Sequence, residues 1–272
     1  MSHIHIDVEN VSFGYEKGKE ILRGISLHAS ETDSIGIIGA NGVGKSTFLK
    51  MLVGLNLDFT GSIRVEEIPV EKRTLAQIRS KIGYVFQDSD SQLFMNTAYE
   101  DIAFAPRNYG LPEAEVERRV EQALAVTGIG HLREKQIYKM SGGEKKLVSI
   151  ATILSMTPDI ILMDEPSIAL DPRNRRNLIR ILNSFAHLKI IASHDLDLVL
   201  DTCERTVLMA DGRIVKDGRT EEILSDQRLL EEYGLELPLC MQKGAVEIQE
   251  RNKQKPPQNS VKNPLKEIAD RH

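Results

Sequence analysis

Cysteine is scarce: only Cys203 and Cys240 occur in 272 residues. Two thiols so far apart supply neither a disulfide framework nor a zinc site, and such usage suits a reducing, cytoplasmic compartment. Excess positive charge is missing too. The formal net charge is -5 at pH 7, with Lys and Arg scattered among Asp and Glu, so there is no basic footprint for nucleic acid. Long apolar runs are also absent. The longest, such as Ile160 to Met163 and Ile190 to Ala192, fall far short of the roughly 20 residues a membrane-spanning helix needs. Met1 to Asp7 alternates apolar and polar residues without the charged and apolar regions of a signal peptide. The expectation is a protein that is not secreted and meets a membrane only through a partner. The length suffices for one large α/β domain, alone or with a small appendage.

Ile4, Ile6 and Val8 alternate with polar residues, as does the run from Ile21 to Leu27, which predicts an antiparallel β region at the start. Ser34 to Ile38 reads as a buried strand entering a glycine-rich turn, and Lys45 to Val53 as a helix. From Gly83 to His131 the sequence is mostly helical, with Val116, Val120, Leu124 and Val126 forming an apolar stripe over Glu113 to Val126. This predicts a helical subdomain, about residues 88–157, inserted into the core. A helix over Ser141 to Ser155, a strand over Ile160 to Met163, a helix after Pro172 and a strand over Lys189 to Ala192 then alternate, implying a parallel sheet. Val207 to Met209 and Ile214 to Val215 flank the hairpin dipeptide Asp211-Gly212, and a short helix follows from Thr220. The folded domain is expected to cover 1–240. The tail, 241–272, turns to Gln, Lys, Asn and Pro and cannot bury enough apolar surface to offset its ordering entropy, so disorder is expected there.

Gly39-Ala40-Asn41-Gly42-Val43-Gly44-Lys45-Ser46 matches the phosphate-loop pattern, where small residues let backbone N–H groups curl around phosphates. Lys45 would meet the β- and γ-phosphates, Ser46 would ligate Mg²⁺, and the following helix would add its positive dipole end. Asp159 to Pro166 is an apolar strand ending in two carboxylates, Asp164 and Glu165, which strand alternation points in different directions. Asp164 would hold Mg²⁺ through water, and Glu165 would be the general base for attacking water. Met140-Ser141-Gly142-Gly143-Glu144 opens a helix and reads as a capping box, with Ser141 as cap and Glu144 reaching back. Such a helix start also exposes N–H groups and a hydroxyl that a γ-phosphate on a second chain could meet.

From about Ile4 to Leu239 the chain resembles the ATP-binding-cassette family, whose fold is a RecA-like P-loop NTPase core with an antiparallel β region and an inserted helical subdomain. Ser141-Gly142-Gly143-Glu144 is similar to the family signature, although Leu is commoner where Met140 stands and Gln where Glu144 stands. The resemblance implies ATP contacts along Gly39, Ala40, Asn41, Gly42, Val43, Gly44, Lys45, Ser46 and Thr47. It implies that Tyr15 stacks on adenine, where a core aromatic beside Phe13 is the alternative. It further implies that Gln87 reaches Mg²⁺, that Asp171 lies at the dimer interface while capping a helix begun by Pro172, and that His194 contacts γ-phosphate. Mg²⁺ would be the cofactor and ATP the substrate.

Phe86 to Phe94, Glu100 to Leu111 and Tyr233 to Pro238 resemble the ATPases of energy-coupling-factor importers, particularly those for cobalt or nickel. Ser89 departs from the proline usual there, and Ile168-Ala169 from a commoner small pair. The implied partners are a second ATPase subunit, identical or related, a transmembrane coupling subunit and a substrate-binding membrane subunit, with the chain on the cytoplasmic face of the membrane. The transported metal would be cargo, since His3 and His5 lack a third ligand. Gln87 to Phe94, with Asp88, Asp90, Leu93 and then Met95, is expected to dock the membrane subunit, unless those apolar residues are core. An ABC ATPase for another small molecule, or a soluble ABC ATPase without a transport role, are the competing readings.

Overall fold

A computed structural model describes residues 4–242. The chain divides into two compact units, Met1–Pro238 and Leu239–His272; every functional residue named above lies in the first. The tail expected to be disordered falls, from 243 on, outside the described residues, as does His3.

Two sheets form the first unit. Strands β1 (His5–Phe13) and β2 (Leu22–Ser30) are followed by β3 (Ser34–Ile38), helix α1 (Lys45–Leu52), β4 (Thr60–Val65), β5 (Ile68–Pro69), α2 (Leu75–Lys81) and β6 (Ile82–Val85). Helices α3 (Ala98–Asn108), α4 (Glu113–Thr127) and α5 (Gly142–Leu154) come next. The chain then alternates through β7 (Ile160–Asp164), α6 (Pro172–Ser184), β8 (Leu188–Ala192), α7 (Leu196–Thr202), β9 (Arg205–Ala210) and β10 (Arg213–Arg219), and closes with α8 (Thr220–Ser225) and α9 (Gln227–Glu232). The antiparallel sheet has the order β2-β1-β4-β5, and the other sheet β10-β9-β3-β8-β7-β6. In the latter β9, β3, β8, β7 and β6 are parallel, while β10 returns antiparallel to β9.

Burial explains the sequence pattern. β1 alternates because one face is covered, whereas β3, β7 and β8 are buried along their whole length, as parallel strands covered on both faces are. Period-two geometry sends Ile160 and Leu162 into one core with α1 and the antiparallel sheet, and Ile161 and Met163 into another with α6, α7 and α8. A third core joins α3, α4 and α5. The helical insertion and the mixed α/β core are therefore present. The stretch read as helical from Gly83 instead starts in β6, which pairs with β7 at the edge of the parallel sheet.

Candidate functional site

The sheet sets two acids at one end of β7. Asp164, 2% exposed, continues the face toward α1, where Ser46 Oγ donates to its Oδ1 at 2.9 Å and the Tyr84 hydroxyl to its Oδ2 at 3.4 Å. Burial raises the Asp164 carboxyl above its usual range; the Ser46 bond opposes this, and the neighbouring Glu165 charge adds to it. The chain then leaves the strand, with Glu165 at φ 49°. Glu165 accepts from the His194 backbone N–H at 3.1 Å, from Ser193 Oγ at 3.2 Å and from His194 Nδ1 at 2.7 Å. The two acids thus diverge, Asp164 on the strand toward α1 and Glu165, past the strand end, toward the turn after β8.

The loop between β3 and α1 is held by its own lysine. Lys45 Nζ donates to the carbonyls of Gly39 at 2.7 Å and Ala40 at 3.1 Å. Burial lowers its pKa, while Glu165 and Asp164 act in the other direction. Gly44 caps α1 at φ 108°, and a Cβ there would stand 2.6 Å from Leu22 Cδ2, so glycine is required twice over. A cleft of about 570 Å³ opens over this loop, lined by Asn41, Gly42, Gly44, Lys45, Ser46, Thr47, Gln87, Glu165 and His194 together with Ile21 and Ile168. Asp164 is reached from an adjoining cavity that shares Gln87 and Ile168 with it and adds Lys50 and Asp88. Gly39, Ala40 and Val43 do not line the cleft. Nor does Tyr15, which is 59% exposed, packs edge-on against Phe13 and places its hydroxyl 3.3 Å from Thr47 Oγ1.

Ser141, Gly142, Gly143, Glu144 and Asp171 gather elsewhere. They line a second cleft of about 900 Å³ with residues of α4 and α6, and it shares no lining residue with the phosphate-loop cleft. The capping box forms: Ser141 Oγ accepts from Glu144 N at 3.3 Å, and Glu144 Oε2 accepts from Ser141 N at 2.8 Å. Lys135, at 2.7 Å, and then the Ser141 N–H hold the Glu144 carboxyl below its usual range. Asp171 caps α6 through Asn174 N at 2.8 Å.

In the segment expected to dock a membrane subunit, the correction concerns Leu93. Leu93 is 7% exposed and belongs to the core of α3, α4 and α5. Asp88 caps a short turn, accepting from Asp90 N at 3.0 Å and Ser91 Oγ at 3.1 Å, and Asp90 pairs with Lys145 at 2.5 Å. Asp88 thus braces its own turn, and Asp90 ties that turn to α5. Of the segment's apolar residues Phe94 stays well exposed, at 65%, edge-on to Phe104 with ring centroids 4.8 Å apart.

Three supporting side chains escaped the sequence reading. Lys146, 2% exposed, donates to the carbonyls of Phe86 and Gln87 at 2.9 and 2.7 Å. Gln92 accepts from Phe86 N at 3.2 Å and donates to Ser149 O at 2.8 Å. Arg175 clamps Asp195 with two bonds of 2.8 and 2.9 Å, fixing the residue after His194. None carries a local signal, since each lies among other polar or charged residues of its segment.

Comparison with known proteins agrees with this architecture. A family profile described as ABC transporter matches residues 22–168. A Geobacter sulfurreducens protein named as an ABC transporter ATP-binding protein is 48% identical over 89% of this chain and 97% of its own length. The energy-coupling factor transporter ATP-binding protein EcfA of Carboxydothermus hydrogenoformans is 38% identical, covering 88% of this chain and 89% of that protein. Among solved structures, CbiO1 of Clostridium perfringens, described as part of the ABC transporter complex CbiONQ, superposes with a TM-score of 0.75 at 31% identity over 92% of this chain and 100% of that one. A cassette solved as a dimer in a post-hydrolysis state with ADP and Pi gives 0.73 at 25% identity over 79% and 98%. The chain belongs to the ABC transporter ATP-binding family and is an ATPase of it.

Proposed function

We propose that this chain is the motor of an energy-coupling-factor importer for cobalt or nickel ions, in which two ATPase subunits close around two Mg-ATP molecules at the cytoplasmic face of the membrane. The observation that carries the two-chain reading is the separation of the clefts: the phosphate loop and the Ser141 signature line different cavities. One nucleotide bound to the loop would meet Ser141, Gly142, Gly143 and Glu144 only if they came from a second subunit, identical or related, with Asp171 at the join.

Within the phosphate cleft, Lys45 would exchange its bonds to the Gly39 and Ala40 carbonyls for phosphate oxygens. Its neighbours Gly39 to Thr47 would shape the loop around the phosphates, and Tyr15 would turn its exposed ring to the adenine. Ser46, Asp164 and Gln87 present a hydroxyl, a carboxylate and an amide near one another, the hard oxygen donors that Mg²⁺ takes, and the Ser46 hydroxyl already meets the Asp164 carboxylate at 2.9 Å. Mg²⁺ bound there would neutralise charge on the phosphate oxygens. Glu165 would accept a proton from attacking water as general base, held by Ser193 and the backbone of His194, while His194 donates from Nδ1 and lies at the cleft to meet γ-phosphate.

Among the described residues no helix is long and apolar enough to cross a membrane. The Phe94–Phe104 pair is the apolar patch suited to a transmembrane coupling subunit, and a separate substrate-binding membrane subunit would choose the cargo. Cobalt or nickel rests on the likeness of Phe86 to Phe94, Glu100 to Leu111 and Tyr233 to Pro238 to importers of those ions. The test is pull-down of membrane subunits with uptake of labelled cobalt and nickel. Wild type should bring down a membrane subunit and support uptake, and Phe94→Ser with Phe104→Ser should lose both while keeping ATP affinity. Unchanged assembly would reject the dock, and uptake of neither metal would reject the cargo.

A further inference from the structure

The loop carrying Gln87 hangs from α5, the helix that the signature begins. Lys146 lies five residues after Ser141, and its ammonium is spent on the carbonyls of Phe86 and Gln87, the first two residues after β6. Further along α5, Ser149 O and Thr152 Oγ1 take the Gln92 amide at 2.8 and 2.9 Å, and Gln92 in turn accepts from Phe86 N. Lys145 adds its contact to Asp90. Residues 86–92 are thus fastened to one rigid helix at several points.

Lys146 is the costly member of this set. A lysine that is 2% exposed is far from its ordinary place on a helix surface, and two carbonyls repay only part of the hydration its ammonium loses. A methionine or leucine would fill the volume without that penalty. The charge is retained at the one point where the signature helix grips the backbone of Gln87.

We propose that Lys146 is a positioning residue that couples the two ATP sites, transmitting engagement of the Ser141 signature with nucleotide on a second subunit to Gln87 in the cleft of its own chain. The inference rests on the two-chain reading above. A shift of α5 as its N-terminus closes on the second subunit's nucleotide pulls the Phe86 and Gln87 carbonyls with it. Each cleft then acquires its glutamine in place only when the other is filled, which makes hydrolysis cooperative in ATP.

The test compares the full-length protein with Lys146→Met and Lys146→Arg. Wild type should hydrolyse ATP with a Hill coefficient approaching the number of sites, about 2. Lys146→Met should lower it to about 1 and cut kcat about tenfold, with KM little changed, as expected for loss of a coupling residue. Lys146→Arg, which keeps the charge and the donors, should recover cooperativity. In a Glu165→Gln background, Lys146→Met should still bind ATP and dimerise. Wild-type kcat and cooperativity in Lys146→Met would overturn the proposal, and so would a parallel loss of affinity and dimerisation, which would make Lys146 merely structural.

Should Lys146→Met not fold, hydrogen exchange decides. ATP should protect residues 86–92 more in Glu165→Gln than in the same protein carrying Ser141→Arg, and equal protection would overturn the coupling. Failure of the two-chain reading looks different: Glu165→Gln would bind ATP yet stay monomeric.

Discussion

The Arg175–Asp195 pair offers a quantitative test of how the end of the sheet that carries Glu165 and His194 is held. Arg175 on α6 forks onto both Asp195 oxygens, at 2.8 and 2.9 Å, and the side chains are 28% and 21% exposed. Asp195 also caps α7 through Leu198 N at 2.9 Å and follows His194, so the pair ties the turn that holds Glu165 to the helix begun at Asp171. Exposed ion pairs contribute about 0–1 kcal/mol, while removing one partner of a buried pair costs about 3–5 kcal/mol. For a bidentate pair between these limits we expect a coupling of about 1–2 kcal/mol in a double-mutant cycle of Arg175→Met and Asp195→Asn, read by urea denaturation at pH 7.

Burial alone would raise the Asp195 carboxyl, but the Arg175 and Leu198 bonds more than reverse this and leave it lowered. A lowered carboxylate contributes its stability fully above the unfolded value, about 3.9, and loses it as pH falls through the folded value. The coupling should therefore be flat from pH 8 to 5 and decay only below about pH 4. Arg175→Met should also reduce kcat about tenfold, by loosening the turn that positions Glu165, with ATP affinity retained. A coupling under about 0.3 kcal/mol at pH 7, or one that grows on acidification, would refute the reasoning.

Lys45→Ala should keep the fold, because the lysine holds only two carbonyls of its own loop, yet lose ATP affinity; isothermal calorimetry beside circular dichroism checks this, and normal affinity would remove the loop from nucleotide binding. Gly143→Ala would set a Cβ 2.8 Å from the Ala169 carbonyl oxygen, displacing the loop that ends at Asp171. A helix-propensity gain of up to about 1 kcal/mol offsets part of an overpacking cost of about 1–3 kcal/mol, so the melting temperature should move little while ATP-driven dimerisation fails. Dimerisation and turnover at wild-type levels would show that this contact has no part in the interface.

The parts legible in the sequence were those with local rules. The phosphate loop, the apolar strand running into Asp164 and Glu165, and the capping box at Ser141 each combine residue type with spacing, although the strand ends at Asp164 and the left-handed turn at Glu165 completes the separation of the two acids. β6 was hidden because its four residues run straight into the glutamine loop, too short a run to show a period. Lys146 was hidden for a different reason: beside Lys145 it reads as solvated helix surface, and only the return of residues 86–92 across α5 buries it. The same holds for Arg175, one of several arginines on α6, which only the turn after β8 singles out. Asp88 and Asp90 show the converse, acids that look free in sequence: the first is bonded within its own turn and the second to Lys145 of α5.

The central claim is that hydrolysis occurs between two chains. Its most direct measurement is the mass of the Glu165→Gln protein by size exclusion with light scattering, with and without Mg-ATP. Removing the proposed general base should slow hydrolysis at least ~100-fold and so trap the closed state. The account predicts a monomer without nucleotide, a dimer with Mg-ATP, and a return to monomer when Ser141→Arg is added. A protein that binds Mg-ATP and stays monomeric, or a dimer that ignores both nucleotide and Ser141→Arg, would contradict it.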